Sequence, residues 1–553
     1  MRRLLMLLGL AAAGAAAAVW LAWRTGGPPA DLVWTQVTDV ITLDPARMTS
    51  LGDGRVAAAL FEGLTVLDAR TLEPRPGVAE RWTVSADGRT YAFDLRPTAR
   101  WSDGRPVTAD DFAYAWRRAL DPKVASEYVY MLWPIRGARA YTDALARGAP
   151  GDWSSVGVRV EGPRRLVVDL EGPTAYFLSL AAFSTYLPVR RDVAEDPQGR
   201  ERPRWTFPPN LVSNGAYRLT EWRFGSVMRW EKNEHYWDRA RVALGRIEAR
   251  VYEEPNTALV AYETGQVALV TDVPAMVREA LLEARREGRR GDVLHGHDFA
   301  TYFYRFNCRR PPLDDRRVRQ ALVRAIDRQA VIARAARGGQ APARVLVPPG
   351  LPGYRSPPGL GEGAAEARRL LAAAGYGPAG RRLPELAILV NKGAGHVPVA
   401  EVLQHQWRQR LDLVTRIEQV EFKVLLDRVR DGQFQIARAG WFGDYLDPNT
   451  FLDMFVTDGG NNRTGWSSAA YDGLIAAAAA EPDPAARTAV LARAEAVLLE
   501  DVPIMPIYFY STMMLARPGL EGIEPNLLNR IDFGALRWGA GGPAPRAAPR
   551  TMP

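Results

Sequence analysis

Residues 82–95 read W-T-V-S-A-D-G-R-T-Y-A-F-D-L, and residues 101–112 read W-S-D-G-R-P-V-T-A-D-D-F. Apolar side chains alternate at Trp82 and Val84 and again at Tyr91, Phe93 and Leu95, on either side of the two-residue turn signal Asp87-Gly88. Period-two alternation about such a turn predicts a β-hairpin. In the second stretch Thr108 and Asp111 have capping-box spacing, with Asp in place of the usual Glu or Gln. Phe112 and Trp116 then share one helix face, and the helix is expected to stop around Asp121-Pro122.

The same signals recur outward from this segment. Val156, Val158 and Val160 lead through Gly162-Pro163 to Leu166, Val168 and Leu170, a second predicted hairpin. Later residues are more helical. Val318, Leu322, Ala325 and Gln329 form a stripe that starts after Asp314-Asp315. Residues 365–374 predict a helix ended by Gly375, and Val490, Ala494, Val497 and Leu498 one broken by Pro503. Ile504 to Tyr510 returns as an apolar strand. Strands and helices mix without strict alternation, which points to a multidomain α/β or α+β fold.

The chain has 553 residues, enough for two to four domains, and is 47% apolar and 24% charged. Its net charge of +8 is spread along the sequence, so it is no nucleic-acid footprint. A single cysteine, Cys308, excludes an intramolecular disulfide and a cysteine-based zinc cluster. No HExxH, GxxxxGK[ST] or GxSxG motif is present, and Gly359-Leu360-Gly361 follows a Pro-Pro pair rather than a strand. His295-Gly296-His297 puts two imidazoles on one strand face beside Asp298; ordinary surface or domain-seam histidines are a better reading than a metal site. The five histidines show no triad spacing. Catalysis and a cofactor are therefore not expected.

Met1-Arg2-Arg3 precedes an uncharged run from Leu4 to Trp23, followed by Arg24. This is an export signal or an anchor just long enough to span a bilayer, and either one places the body outside the cytoplasm. Residues 25–30 read as a linker and 539–553 as a disordered tail. The chain is rich in aromatics, with 16 tryptophans and 19 tyrosines, several of them beside charges at Asn233–Asp238 and Gly440–Pro448. Aromatic walls around one fixed charge suit the capture of a ligand with an ionised end.

Several blocks together carry a resemblance. They include Phe61–Thr65, Pro76–Trp82, Ser85–Arg96, Trp101–Gly104, Pro106–Phe112 and Trp116–Arg118. Further on come Asn214–Tyr217, Asn233 with Tyr236–Asp238, Pro312–Asp315, Arg317–Leu322, Ala325–Arg328 and Ala437–Trp441. In order and number, from about residue 32 to 538, they resemble the oligopeptide- and dipeptide-binding proteins of ABC importers, solute-binding protein family 5. The resemblance implies an α/β, type II periplasmic-binding-protein fold: two lobes with a hinge plus an extra inserted domain. By analogy lobe 1 comprises 31–66, 207–298 and 508–538, the extra domain 67–206 and lobe 2 299–507. Peptides and permease subunits are the implied partners, and the protein is expected to be a monomer.

On the same analogy Asp444 grips the ligand's α-ammonium, and Arg438 and His396 serve its carboxylate end. Trp441 and Phe422 supply pocket walls, and Glu62 and Leu64 line the cleft from lobe 1. The sequence departs from the family at Val429 and Ala336, where oligopeptide binders carry an arginine and a lysine; each has an arginine next to it in the chain. The alternatives keep the fold and change the ligand to a metal chelate, haem or a cell-wall peptide, or make the chain a membrane-tethered sensor or chaperone. A peptidase is the weakest reading.

Overall fold

A computed structural model of the chain describes residues 29–377, 380–392 and 395–540. The leader at Leu4–Trp23 and nearly all of the expected tail lie outside the described residues. Among those residues no helix is long and apolar enough to cross a membrane.

An eleven-stranded mixed sheet organises the molecule. Its order runs Thr415–Val420, Leu386–Asn391, Ile436–Phe442, Val293–Phe306, Ile504–Ala516, Leu269–Val270, Leu32–Gln36, Arg246–Val251, Val227–Lys232 and Tyr217–Arg223. Ala341–Pro342 adds to Ile504–Ala516. Two strands stand out by length: Val293–Phe306 has 14 residues and Ile504–Ala516 has 13. They pair antiparallel from Val293 opposite Leu515 to Arg305 opposite Ile504, and the register breaks between His297 and Thr301.

That break separates two apolar bodies. Before it, Val293 packs with Val270, Met513 and Leu515. Beyond it, Tyr302, Tyr304 and Phe306 pack with Ile388, Ile436, Met505 and Ile507. The same two strands thus run through both bodies, with a wide break in pairing at the crossing and a second register shift between Tyr302 and Phe303. Ladder hydrogen bonds resist shear along a strand, whereas a bulge lets the chain bend.

A separate four-stranded antiparallel sheet joins Ala79–Val84, Thr90–Leu95, Arg165–Asp169 and Val158–Val160 in that order. These are the two hairpins expected from the sequence. The first has a four-residue loop rather than a two-residue one. The Ser85 hydroxyl accepts the Thr90 N–H, and the Ser85 carbonyl accepts from Gly88 instead. Gly88 at φ +68° supplies the left-handed residue this loop needs. The helix Ala109–Ala119 packs against this sheet, and the Asp111 carboxylate accepts the Thr108 backbone N–H at 2.8 Å as the capping spacing requires. Phe93, Phe112 and Trp116 share one continuous core with Trp34 and Trp230 of the large sheet.

The predicted stripe from Val318 to Gln329 is two helices, Arg316–Arg324 and Arg328–Val331. The Asp327 carboxylate accepts from Ala330 N–H and starts the second, which ends the continuity of the stripe. The predicted strand at Ile504 continues six residues past Tyr510 to Ala516.

Candidate functional site

The site grows from the end of the strand Ile436–Phe442. Alternation puts Arg438, Gly440 and Phe442 on one face and Ala437, Ala439 and Trp441 on the other. Gly440 lies against Tyr510, where an added Cβ would come 2.8 Å from the phenol oxygen. Gly443 donates its N–H to the Phe299 carbonyl at 2.8 Å, which carries the chain into Asp444.

The Asp444 N–H donates to Thr450 Oγ1 at 3.0 Å, so the backbone here is pinned. Its carboxyl lines a cavity of about 420 Å³, within the range of about 300–1,000 Å³ usual for ligand pockets. Burial raises its pKa to about 6, and the Tyr130 hydroxyl, placed to donate to it, works in the opposite direction. No cation forms an ion pair with Asp444 among the described residues. Behind it the loop is held by Asp447, whose two oxygens accept from Arg487 at 2.5 and 2.9 Å. Tyr445 stacks on Tyr176 with ring centres 4.3 Å apart, which ties the loop to the segment after the smaller sheet.

Glu62 lines the same cavity and comes from the chain after the helix Leu51–Leu60. It accepts from Tyr236 Oη and, at 2.6 Å, from Trp237 Nε1. Burial pushes its carboxyl up to about 7, while those two bonds and the charge of Arg96 hold it down. The aromatic-acidic stretch Asn233–Asp238 therefore clamps this carboxyl. Leu64 is fully buried in the apolar core, and its backbone oxygen accepts from Gly77 and Ala79.

Arg438 and His396 form a neighbouring cluster. Arg438 donates to Tyr510 Oη at 2.8 Å and to Asn391 Oδ1 at 3.4 Å, and it lies 5.0 Å from the centre of the Tyr302 ring. His396 opens the helix His396–Leu411 and puts Nδ1 3.3 Å from Tyr302 Oη. Burial, helped by the charge of Arg438, lowers its pKa to about 4, so the ring is neutral near pH 7. The Phe442 ring, 4.9 Å from that of Tyr510, links this cluster to the cavity it also lines. Trp441 packs into the core on the opposite strand face, its indole N–H buried without a partner among the described residues. Phe422 begins the helix Phe422–Arg430 and is 53% exposed. Asp444 and Glu62 thus meet in one cavity, Arg438 and His396 meet beside it, and Leu64, Trp441 and Phe422 stand outside its lining.

Val429 is buried beside Leu389 and Leu425. The arginines flanking it are engaged elsewhere: Arg428 with Glu418 at 2.7 Å, and Arg430 with Asp427 at 2.8 Å. Arg337, next to Ala336, is paired with Glu279. The arginines beside Val429 and Ala336 are thus each paired with a carboxylate.

A family model, bacterial extracellular solute-binding proteins, family 5, matches residues 73–463. The chain belongs to that family. The oligopeptide-binding protein OppA of Bacillus subtilis strain 168 is 32% identical over 500 residues, covering 88% of each chain. The periplasmic murein peptide-binding protein MppA of Escherichia coli strain K12 is 33% identical over 493 residues, again 88% of each. The solved unliganded open form of the MppA murein tripeptide binding protein superposes with a TM-score of 0.81 at 32% identity, covering 93% of this chain and 99% of that one. A second MppA structure gives 0.72. This family-5 solute-binding fold accounts for the large sheet, the two bodies and the additional small sheet.

The sequence reading missed the tyrosines at 130, 302 and 510, together with Asn391. Tyr302 with Tyr304, and Tyr508 with Tyr510, do alternate along the two long strands, a pattern visible in the sequence. Tyr130 sits in a short 3₁₀ turn with no periodic signal.

Proposed function

We propose that this chain is the extracytoplasmic receptor of a peptide ABC importer, holding peptides between its lobes and passing them to a membrane permease. The observation that carries this reading is Asp444: a desolvated carboxyl on a cavity wall with no cation among the described residues to neutralise it. A peptide's α-ammonium is the charge it lacks. A charge-assisted hydrogen bond of this kind is worth about 1.5–3 kcal/mol. Micromolar binding needs about 8 kcal/mol, so strand-like backbone pairing and burial between the lobes must provide the rest. Arg438 and His396 serve the distal part of the ligand, the exposed Phe422 acts as a wall once the lobes close, Trp441 backs the site from the core, and Glu62 and the Leu64 segment shape the lobe 1 side.

In this reading lobe 1 is 31–66, 207–298 and 508–538, lobe 2 is 299–507, and 67–206 is the inserted domain. The register break at His297–Thr301 supports the boundary near 298. Residues 4–23 bring the body across the membrane as a cleaved signal or as a retained tether, and the receptor works as a monomer. Calorimetry with free and N-acetylated peptides tests the mechanism: acetylation and Asp444→Ala should each abolish most of the affinity, and unchanged binding of acetylated peptide would reject it. The likeness to MppA favours a cell-wall peptide as a second ligand class. Mass spectrometry of ligand that co-purifies with the protein separates the two.

A further inference from the structure

Nine charged side chains line the cavity, and most are satisfied locally. Arg75 pairs with Asp68 at 2.9 Å, and Arg241 with Asp532 at 3.0 Å and Asp238 at 3.5 Å. Glu62 is held by Tyr236 and Trp237, and Arg55 faces Asp272 at 3.7 Å. Two charges are left over. One is Asp444. The other is Arg530, whose guanidinium has no hydrogen-bond or ion-pair partner among the described residues.

Arg530 is held for this position by its backbone. Its N–H donates to Asn526 Oδ1 at 3.0 Å, and its carbonyl accepts from Asn526 Nδ2 at 2.8 Å. Asn529, at φ +51°, makes the turn that precedes it. Three residues after Arg530 comes Phe533, whose ring centre is 5.0 Å from that of Trp34. Before Arg530, Leu527 and Leu528 pack on the body of Phe299 and Phe451, and after it Ile531 and Phe533 enter the core of Trp34, so Arg530 sits where the segment passes from the body of Asp444 to the opposite one. Burial works against the Arg530 charge and the Asp532 charge supports it from a distance, but the Asp532 carboxylate already receives Arg241. Arg438 also lacks a carboxylate, but it is bonded to Tyr510 and Asn391 outside the cavity lining.

An unpaired anion and an unpaired cation lining one cavity fit a ligand with the reverse arrangement. We infer that Arg530 is a second anchor, taking a carboxylate of the ligand at the passage between the lobes while Asp444 takes the ammonium on lobe 2. This rests on the peptide reading of Asp444 given above. It also gives the ligand's anionic end a partner in a protein with no free cation at Val429 or Ala336. The carboxylate is the C-terminal one or that of an acidic side chain.

Calorimetry on the full chain can test this with tri-, tetra- and penta-alanine as free acids and as C-terminal amides. For the best-fitting length, amidation should weaken wild-type binding by about ten- to hundred-fold, the scale of one charge-assisted bond. Arg530→Gln should bind the free acid that much more weakly and respond no further to amidation, while Arg530→Lys should keep most of the amidation penalty. If an amide with one internal glutamate recovers the affinity, and does so only with Arg530 present, the side-chain carboxylate is the group bound. A full amidation penalty in Arg530→Gln, or none in wild type, overturns the inference. A penalty that depends on Arg530 without any effect of N-acetylation keeps Arg530 and rejects Asp444. Failure of every free acid to bind rejects both.

Discussion

Gly443 leaves no room for a side chain against Phe299: a Cβ built on it would lie 2.3 Å from two carbons of that ring. The ring is buried and stacked edge-on against Phe451 at 4.8 Å, so it cannot swing away. Close packing of this aromatic is what sets the path of the chain into Asp444. Gly443→Ala should therefore cost about 1–3 kcal/mol of stability, as overpacking does, and displace the carboxylate. Thermal melts and peptide titration on the purified variant would show both losses; a variant with wild-type affinity would mean that the loop position is set elsewhere.

Peptide affinity should depend on pH through Asp444. In the empty protein its pKa is raised to about 6, and an ammonium bound beside it can only lower that value. Binding below pH 6 must then expel a proton, so Kd should rise towards tenfold per pH unit as pH falls from about 6. Above pH 7 it should be flat until the peptide's own amine deprotonates. Asp444→Asn should abolish the acid limb of the profile.

Asp447 and Arg487 form a buried pair two residues from the Asp444–Tyr445 step, with side chains 9% and 5% exposed. Removing one partner strands the other charge. Arg487→Met should destabilise the protein by about 3–5 kcal/mol, whereas replacing both residues with apolar ones of similar volume should cost far less. Urea unfolding of the single and double variants measures the difference.

Glu62 makes an opposite contribution to pH dependence. Its folded-state pKa of about 7 exceeds its ordinary 4.5, so the stability it contributes is complete below about 4.5 and lost as pH rises through 7. Denaturation midpoints of wild type should fall relative to Glu62→Gln across that window. Glu62→Ala leaves the Tyr236 hydroxyl and Trp237 N–H without their acceptor, at about 1–3 kcal/mol.

Local patterns in the sequence carried the two hairpins, the capped helix at Ala109–Ala119 and the late strand at Ile504, because their side chains alternate or cap within a few residues. The loop length at Ser85 did not follow from Asp87-Gly88, since a side-chain hydroxyl took over a ladder bond. The lobe arrangement came from the family blocks, not from periodicity: nothing in the composition of Val293–Phe306 says that it serves two cores. The cluster Gly440–Pro448 was legible as charge among aromatics, but the choice of Asp444 within it came from the family resemblance. Arg530 was not, because a lone arginine in an irregular segment becomes informative only when the surrounding charges can be paired off in space.

The shared strand pair also fixes when the molecule can assemble. Ile504–Ala516 is hydrogen-bonded to Val293–Phe306 on both sides of the crossing, and it supplies Met505 and Ile507 to one core and Met513 and Leu515 to the other. Neither half can complete its sheet until Ile504–Ala516 has left the ribosome. Truncation before Ile504 should therefore leave two unfinished halves rather than one intact lobe and a loose remainder.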